Sequence, residues 1–268
     1  MDKCIRAEVS RTQNMLKSAD RYSRVRLVDG IDLDAVQSSR ICIIGAGALG
    51  NEVVKNLVLY APSQITVVDR DVVETTNLGR CFLFSRADAD KSRSKVEVVR
   101  SRAREINPDC NLRAMRTDAE RLNYTFFSKY TLVIGCVDSV KTRLHINSNC
   151  FFAGTPYVDG GIDGLIGRVQ VVIPPAGACY ECTVNGSHLS TIDRTYTCTG
   201  REANAYSRHI GSEPSIPGII GSVQSLEAIK IISGIRQNGV LMMFDGMTTS
   251  IEEIVAEVNP NCQNHGRI

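Results

Sequence analysis

The sequence predicts an α/β protein: a Rossmann-like, largely parallel sheet with helices on both faces, continued by antiparallel strands. Three observations predict it. The run "ICIIGAGALG" at 41–50 passes from apolar strand to glycine turn to helix, and a second apolar strand, "QITVVDRD", follows. That strand–turn–helix–strand unit implies a parallel pair. Beyond Gly161 the pattern changes, and "LIGRVQVVIPP" and "LMMFDGMTTSIEEIVAEV" alternate like antiparallel strands.

The elements follow in order. Residues 1–39 read as a charged helical segment containing the Arg-rich stretch "RYSRVRLVDGID", and 40–268 as the main domain. After the first strand and turn, "NEVVKNLVLYA" continues as an amphipathic helix. Residues 71–90 read as irregular, rich in Asp, Thr, Asn and Arg. "KSRSKVEVVRSRAREINP" is a helix stopped by Asn107-Pro108. "NLRAMR" and "TLVIGCVD" are the third and fourth strands, "SVKTRLHINSNCFFAG" a helix, and "PYVDGGIDG" a fifth strand and turn. Between the antiparallel strands lie the apolar helix "GIIGSVQSLEAIKIIS" and the loop 183–215. A loop of that length in a compact domain is functional or disordered.

Bulk properties exclude several classes. The chain has 268 residues, enough for a real core without staples. It is 43% hydrophobic and 22% charged with a net charge of +2, which argues against a nucleic-acid or membrane-surface binder. No apolar run approaches the roughly 20 residues of a membrane span, and "MDKCIRAEVSRTQNML" has no signal-peptide core. The expected compartment is the reducing cytoplasm, where ten cysteines read as buried thiols, metal ligands or nucleophiles.

The glycine turn Gly45-Ala46-Gly47-Ala48-Leu49-Gly50 lets a phosphate approach the backbone at a helix N-terminus. Asp69 closes the second strand, where a carboxylate accepts hydrogen bonds from ribose hydroxyls. The bland alternative is a packing turn without a ligand, and the motif alone does not separate NAD from ATP. The next stretch bears on that choice. A triphosphate carries about four negative charges and needs converging cations. Asn77 and Arg80 lie just past Asp69, Lys95 opens the next helix, and Arg24 precedes the first strand. Taken singly, each cation also reads as a solvated surface charge. Asp138 ends the fourth strand at the carboxyl edge, as a Mg²⁺ ligand, a helix N-cap, or both.

Cys179 and Cys182 form C-x-x-C, and Cys262 and His265 form C-x-x-H. Two such knuckles make a closed, structural zinc site with four protein ligands. It would tie the end of the chain to the start of the long loop. His188 and His209 compete with His265 for the fourth position. Cys198, in "TYTCTG", is a loop thiol near Arg201, either an ionisable nucleophile or an ordinary exposed thiol. Cys42 and Cys136 sit in apolar strands and read as core.

Together these residues resemble the ubiquitin-activating-enzyme superfamily, of the ThiF/MoeB/HesA type. The resemblance rests on "RYSR" at 21–24, "GAGALG" at 45–50, "VVDRDVVETTNLGR" at 67–80, "KVE" at 95–97 before "INP", and "CVD" at 136–138. It extends through "CYEC" at 179–182, "GIIGSVQSLEAIKII" at 218–232 and "NPNCQNH" at 259–265, so it covers the chain from about residue 20. It implies a ThiF-type adenylation domain over 40–268. Its activity would be ATP- and Mg²⁺-dependent adenylation of the C-terminal glycine of a β-grasp, ubiquitin-like or sulfur-carrier protein. Asp69 would hold the ribose, Asn77, Arg80 and Lys95 the phosphates, and Asp138 the Mg²⁺. Arg24 would reach into a partner subunit's site, so a homodimer is implied. The loop 183–215 resembles the crossover loop over the carrier's tail. Cys198 falls at the thioester- or sulfur-transferring cysteine, and "CT" is the form found in conjugation pathways, with a conjugating enzyme as a further partner.

The sequence departs from the family pattern at Ala48 (usually Gly), Cys81 (usually Gln) and His265 (usually Cys), and it stops after the second knuckle. Adenylation needs no general base, because the attacking carboxylate is already ionised; positioning and cations suffice. Three other readings compete: a MoeB/ThiF-like adenylyltransferase without thioester, a non-catalytic partner subunit, and an NAD-dependent oxidoreductase.

Overall fold

The structure, a computed structural model, describes residues 20–184 and 213–266. One eight-stranded sheet organises the chain. Its strands are β1 (Arg40–Ile44), β2 (Gln64–Val68), β3 (Leu112–Met115), β4 (Leu132–Gly135), β5 (Tyr157–Asp163), β6 (Ile166–Val172), β7 (Val240–Asp245) and β8 (Ser250–Ile254). The order is β3-β2-β1-β4-β5-β6-β7-β8. Strands β1 to β5 pair in parallel, and β5, β6, β7 and β8 pair antiparallel in succession. The change from parallel to antiparallel pairing therefore falls on the "PYVDGGIDG" strand and turn, as the sequence predicts.

Strand β1 shows why its residues choose this arrangement. It is apolar at every position after Arg40, so both of its faces must be covered. Ile41 and Ile43 enter one core with Val53, Val98, Ile220 and Ile229. Cys42 and Ile44 enter the opposite core with Phe127, Ile146 and Cys150. The first core is roofed by α1 (Leu33–Ser38), α2 (Ala48–Leu57), α4 (Lys95–Ile106) and α8 (Ser215–Ile232); α3 (Arg86–Asp90) lies beside it. The second is roofed by α5 (Tyr124–Phe127) and α6 (Val140–Ala153), with α7 (Tyr180–Thr183) packed at the end of α6.

Helix ends follow the local chemistry. Ser139 caps α6 by accepting a hydrogen bond from Thr142 N, and Gly154 closes it at φ +66°. Helix α4 stops at Ile106, ahead of the Asn107-Pro108 pair. Two readings change. Residues 71–90 are not wholly irregular: Thr75–Asn77 form a 3₁₀ turn and α3 spans Arg86–Asp90, each started by a capping box, from Glu74 and Ser85. The cap of α6 is Ser139, which leaves the neighbouring Asp138 outside that role.

Among the described residues no helix is long and apolar enough to cross a membrane.

Candidate nucleotide site and metal cluster

The order of strands reverses between β1 and β4, and in open α/β sheets ligands bind outside the carboxyl ends at that point. Register brings the candidate residues there. Ile44 pairs with Val68 of β2 and with Gly135 of β4, so Gly45, Asp69 and Cys136 leave the sheet together. The two turns flanking the switch touch. Gly45 has φ +99°, and a Cβ on it would lie 2.5 Å from the Cys136 carbonyl oxygen. A Cβ on Gly50 would lie 2.0 Å from the Gly45 carbonyl oxygen. Gly47 differs: a Cβ there meets nothing within 4 Å. It stands at the N-cap of α2, which no side chain caps. The chain's own packing demands the first and last glycines, while the middle one faces open space at a helix N-terminus.

Asp69 organises this turn. Its Oδ2 accepts a hydrogen bond from Ala46 N at 2.7 Å, and its Oδ1 accepts one from Asp71 N at 2.8 Å. Each oxygen keeps a second lone pair, so a ribose hydroxyl can still donate to it. Asn77 is buried; its Oδ1 accepts from Glu74 N at 3.0 Å, and its amide NH₂ remains the group of the right polarity for a phosphate. Lys95 is not a solvated charge. Its side chain is 11% exposed and its Nζ lies 3.1 Å from Asp71 Oδ2. A cation at the first position of α4 opposes the helix dipole, so this counter-ion matters. Arg80 is exposed and donates to the Thr76 carbonyl at 2.8 Å.

Burial pushes the Cys81 thiol up to about 11, Arg80 and Lys95 pull it down, and Asp69 and Glu52 raise it. Asp138 is exposed, three residues past the end of β4 at Gly135.

Arg24 stands apart. Its segment is anchored by Arg21, which donates to the Ile106 carbonyl at 3.2 Å, and by Tyr22, whose hydroxyl accepts from Asn107 at 3.4 Å. Those contacts lie at the far end of α4 from Lys95, about 18 Å away at 1.5 Å per residue. Within one chain the structure does not bring the Arg24 segment to the carboxyl edge.

Several residues escaped the sequence reading. Asn51 is fully buried; it donates to the Ala46 and Gly47 carbonyls at 2.9 and 3.0 Å and accepts from Leu83 N at 2.8 Å. It ties the glycine turn to the segment that carries Asn77 and Arg80. Gln224 of α8 donates to the Gly135 carbonyl at 2.9 Å, and a Cβ on Gly160 would lie 2.3 Å from it. Arg143, Tyr157 and Asp159 form a buried polar group behind the Asp138 turn. A polar residue on an apolar helix or strand is the one signal that could have found them.

The four ligating atoms of Cys179, Cys182, Cys262 and His265 lie within 4.8 Å of one another. The Sγ–Sγ separations from Cys179 are 3.8 Å to Cys182 and 3.6 Å to Cys262, and Cys182 Sγ lies 3.5 Å from His265 Nδ1. The edges of a tetrahedron with Zn–S of about 2.3 Å and Zn–N of about 2.0–2.1 Å are roughly 3.6–3.8 Å. The donor set fits a tetrahedral dication, and those separations are too long for a disulfide. His265 Nε2 lies 3.0 Å from the Gly177 carbonyl, which assigns the proton to Nε2 and leaves the Nδ1 lone pair facing the sulfurs. Asn264 donates to Cys179 Sγ at 3.4 Å. Burial raises the thiol pKa values of Cys262 and Cys182, and the adjacent Cys179 raises both further. A bound dication reverses both effects.

Cys198, His188, His209 and most of the expected crossover loop lie outside the described residues.

A profile of the ThiF family matches residues 20–264, and the chain belongs to that family. It is 32% identical over 256 residues to the molybdopterin-synthase adenylyltransferase of Escherichia coli K12, covering 92% of this chain and 96% of the relative. It is 28% identical over 250 residues to the SAMP-activating enzyme E1 of Haloferax volcanii, covering 91% and 87%. Among solved structures, E. coli MccB crystallised with ATP superposes with a TM-score of 0.74 at 20% identity, covering 93% of this chain and 75% of MccB, and so shares the fold.

Proposed function

We propose that the chain is an adenylating enzyme that activates the C-terminal carboxylate of a ubiquitin-like or sulfur-carrier protein with ATP. One observation carries the reading: at the sheet's switch point Asp69 binds the glycine turn and Asp71, and Asp71 holds the Lys95 ammonium at 3.1 Å, beside the uncapped N-terminus of α2. A pyrophosphate bridge alone does not need so many cations, which disfavours NAD. Membership of the ThiF family and similarity to an adenylyltransferase and to an activating enzyme E1 support the same class.

In this reading Asp69 accepts from the ribose, and Asn77, Arg80 and Lys95 hold the phosphates. Asp138 would hold Mg²⁺, which would supply charge compensation for the departing phosphates. The carrier's carboxylate oxygen attacks the α-phosphorus, the bond to the bridging oxygen breaks, and pyrophosphate leaves with the electron pair. No proton moves, so the protein's task is alignment and charge stabilisation. Lys95 is now paired with Asp71; triphosphate competes for the same ammonium.

The finer assignments belong to the same proposal. Cys198 thiolate attacks the acyl-adenylate, forming a thioester and expelling AMP. Arg24 serves the partner's site in a homodimer, consistent with its anchoring away from this chain's own site. The Cys₃His cluster takes structural Zn²⁺. The enzyme works in the cytoplasm.

The test is carrier-dependent ATP–pyrophosphate exchange by the full chain, expected to be lost in Lys95→Ala and in Asp138→Ala. Exchange surviving in both variants would overturn these roles, and binding of NAD in place of ATP would overturn the class.

A further inference from the structure

Behind the Asp138 turn lies a polar group that the residue roles above do not use. Asp159, on β5, is fully buried. Its Oδ1 accepts a hydrogen bond from Tyr157 Oη at 2.7 Å and lies 3.8 Å from Arg143 Nε. Its Oδ2 is buried without a hydrogen-bond partner. Arg143, on α6, has a side chain 12% exposed. Both its Nε and a terminal nitrogen donate to one acceptor, the Val137 carbonyl, at 2.9 and 2.7 Å. Val137 immediately precedes Asp138.

The backbone makes room for this arrangement. A Cβ on Gly135 would lie 2.3 Å from Tyr157 Oη, and one on Gly161 would lie 2.7 Å from an Arg143 terminal nitrogen. Both positions are therefore kept empty around the group. A buried ion pair with an unsatisfied carboxylate oxygen is a poor device for stability, because desolvation offsets the attraction. Such a group in a folded protein calls for another explanation. Here the chain of contacts ends on the peptide unit that aims Asp138. Ser139 caps α6, so Asp138 has no capping bond of its own to fix its direction.

We propose that Asp159, through Arg143, is a positioning residue for Asp138: the buried pair clamps the Val137 carbonyl and so sets the carboxylate that meets the metal–nucleotide complex. Tyr157 holds Asp159 in the rotamer that faces Arg143. Neither Asp159 nor Arg143 touches substrate; both act through the turn. The inference rests on the adenylation reading, since it needs Asp138 to be the metal ligand.

The test measures ATP affinity of the full chain by calorimetry, once with Mg²⁺ and once with EDTA. In the wild type Mg²⁺ tightens binding. In Asp159→Asn the gain from Mg²⁺ shrinks by roughly ten- to hundredfold, the effect expected of a misplaced ligand, while affinity in EDTA stays unchanged. Gly161→Ala, which displaces the guanidinium but keeps both charges, loses it too, and Tyr157→Phe loses less. In the double variant Asp138→Ala/Asp159→Asn the losses do not add, because both remove one interaction. Thermal unfolding and metal content check that each variant is folded; if Asp159→Asn does not fold, Gly161→Ala carries the test. A Mg²⁺ gain equal to wild type in folded Gly161→Ala, or losses that add in full, overturns the clamp. A wild type that binds no ATP under either condition overturns the adenylation reading instead.

Discussion

Three glycines in one turn should fail in two different ways. Gly45→Ala places a methyl 2.5 Å from the Cys136 carbonyl oxygen, on a residue at φ +99°. The backbone strain and the overpacking together cost about 2–4 kcal/mol. In a chain of this size that lowers Tm by about 5–15 °C. Gly50→Ala, with its methyl 2.0 Å from the Gly45 carbonyl, should behave alike, because a backbone oxygen cannot rotate away as a side chain would. Gly47→Ala is the contrasting case. Its φ of −76° suits any residue, and its methyl meets no protein atom within 4 Å. Its Tm should hold or rise slightly, since alanine narrows the unfolded ensemble by about 0.4–1 kcal/mol. Yet the methyl stands where a phosphate would meet the first N–H groups of α2. Losing one charge-assisted hydrogen bond there costs about 1.5–3 kcal/mol, or roughly 10- to 100-fold in Kd. Differential scanning fluorimetry and calorimetric titration with Mg²⁺·ATP separate the outcomes. A Gly47→Ala protein that keeps its Tm and binds ATP like the wild type would refute the phosphate cradle. If all three variants lost stability equally, the division of labour among the glycines would be wrong.

Three further outcomes are expected. His265→Ala should lose the metal, read as zinc per chain by atomic emission, and unfold at lower temperature, whereas His265→Cys should retain it because tetrahedral zinc accepts either ligand; equal metal content in both variants would remove His265 from the cluster. Cys198→Ala should still exchange pyrophosphate with the carrier but form no thiol-labile adduct on a non-reducing gel; an adduct that persists would place the nucleophile elsewhere. Asp88 is held below the usual carboxylate range by hydrogen bonds from Ser85 and Arg93, which outweigh its burial. Its stabilisation is thus present above a pH of about 4 and lost as pH falls through the lowered value, so Asp88→Asn should lower Tm at pH 7, and the difference from wild type should shrink as pH falls below about 4.

The order of elements was legible because each announces itself within a few residues. Strand β1 reads as doubly buried from its unbroken apolar run, and the break at Gly161 marks the change to antiparallel pairing. Most of the Cys₃His cluster was legible from spacing, which paired the two knuckles while leaving the fourth donor open among His265, His188 and His209. The region at 71–90 was less so. Its helix α3 is five residues long, too short for a periodic signal, and exists because Ser85 and Asp88 satisfy each other's backbone donors.

What the sequence concealed has one physical character: polar groups whose partners lie far along the chain. Asn51 looks like a misfit in an apolar helix until Leu83, 32 residues later, presents its N–H to the amide oxygen. Gln224 looks like a polar interruption of an apolar helix until the Gly135 carbonyl appears 89 residues before it. Arg143 was one of two cations, with Lys141, in a predicted helix, and Asp159 a carboxylate in the predicted fifth strand. Local pattern assigns such residues to the surface, because an isolated buried charge is costly. Only the register of β4 against β5, which sets Gly135 beside Asp159, shows that each is the other's compensation. The same reasoning separates the two kinds of cation near the site. Lys95 is fixed by Asp71 and nearly buried, so its position is a property of the fold. Arg80 is exposed and held through one carbonyl, so its final position depends on the anion it meets. Substitution of Lys95 should therefore disturb the empty protein as well as the complex, whereas substitution of Arg80 should be felt only when nucleotide is bound.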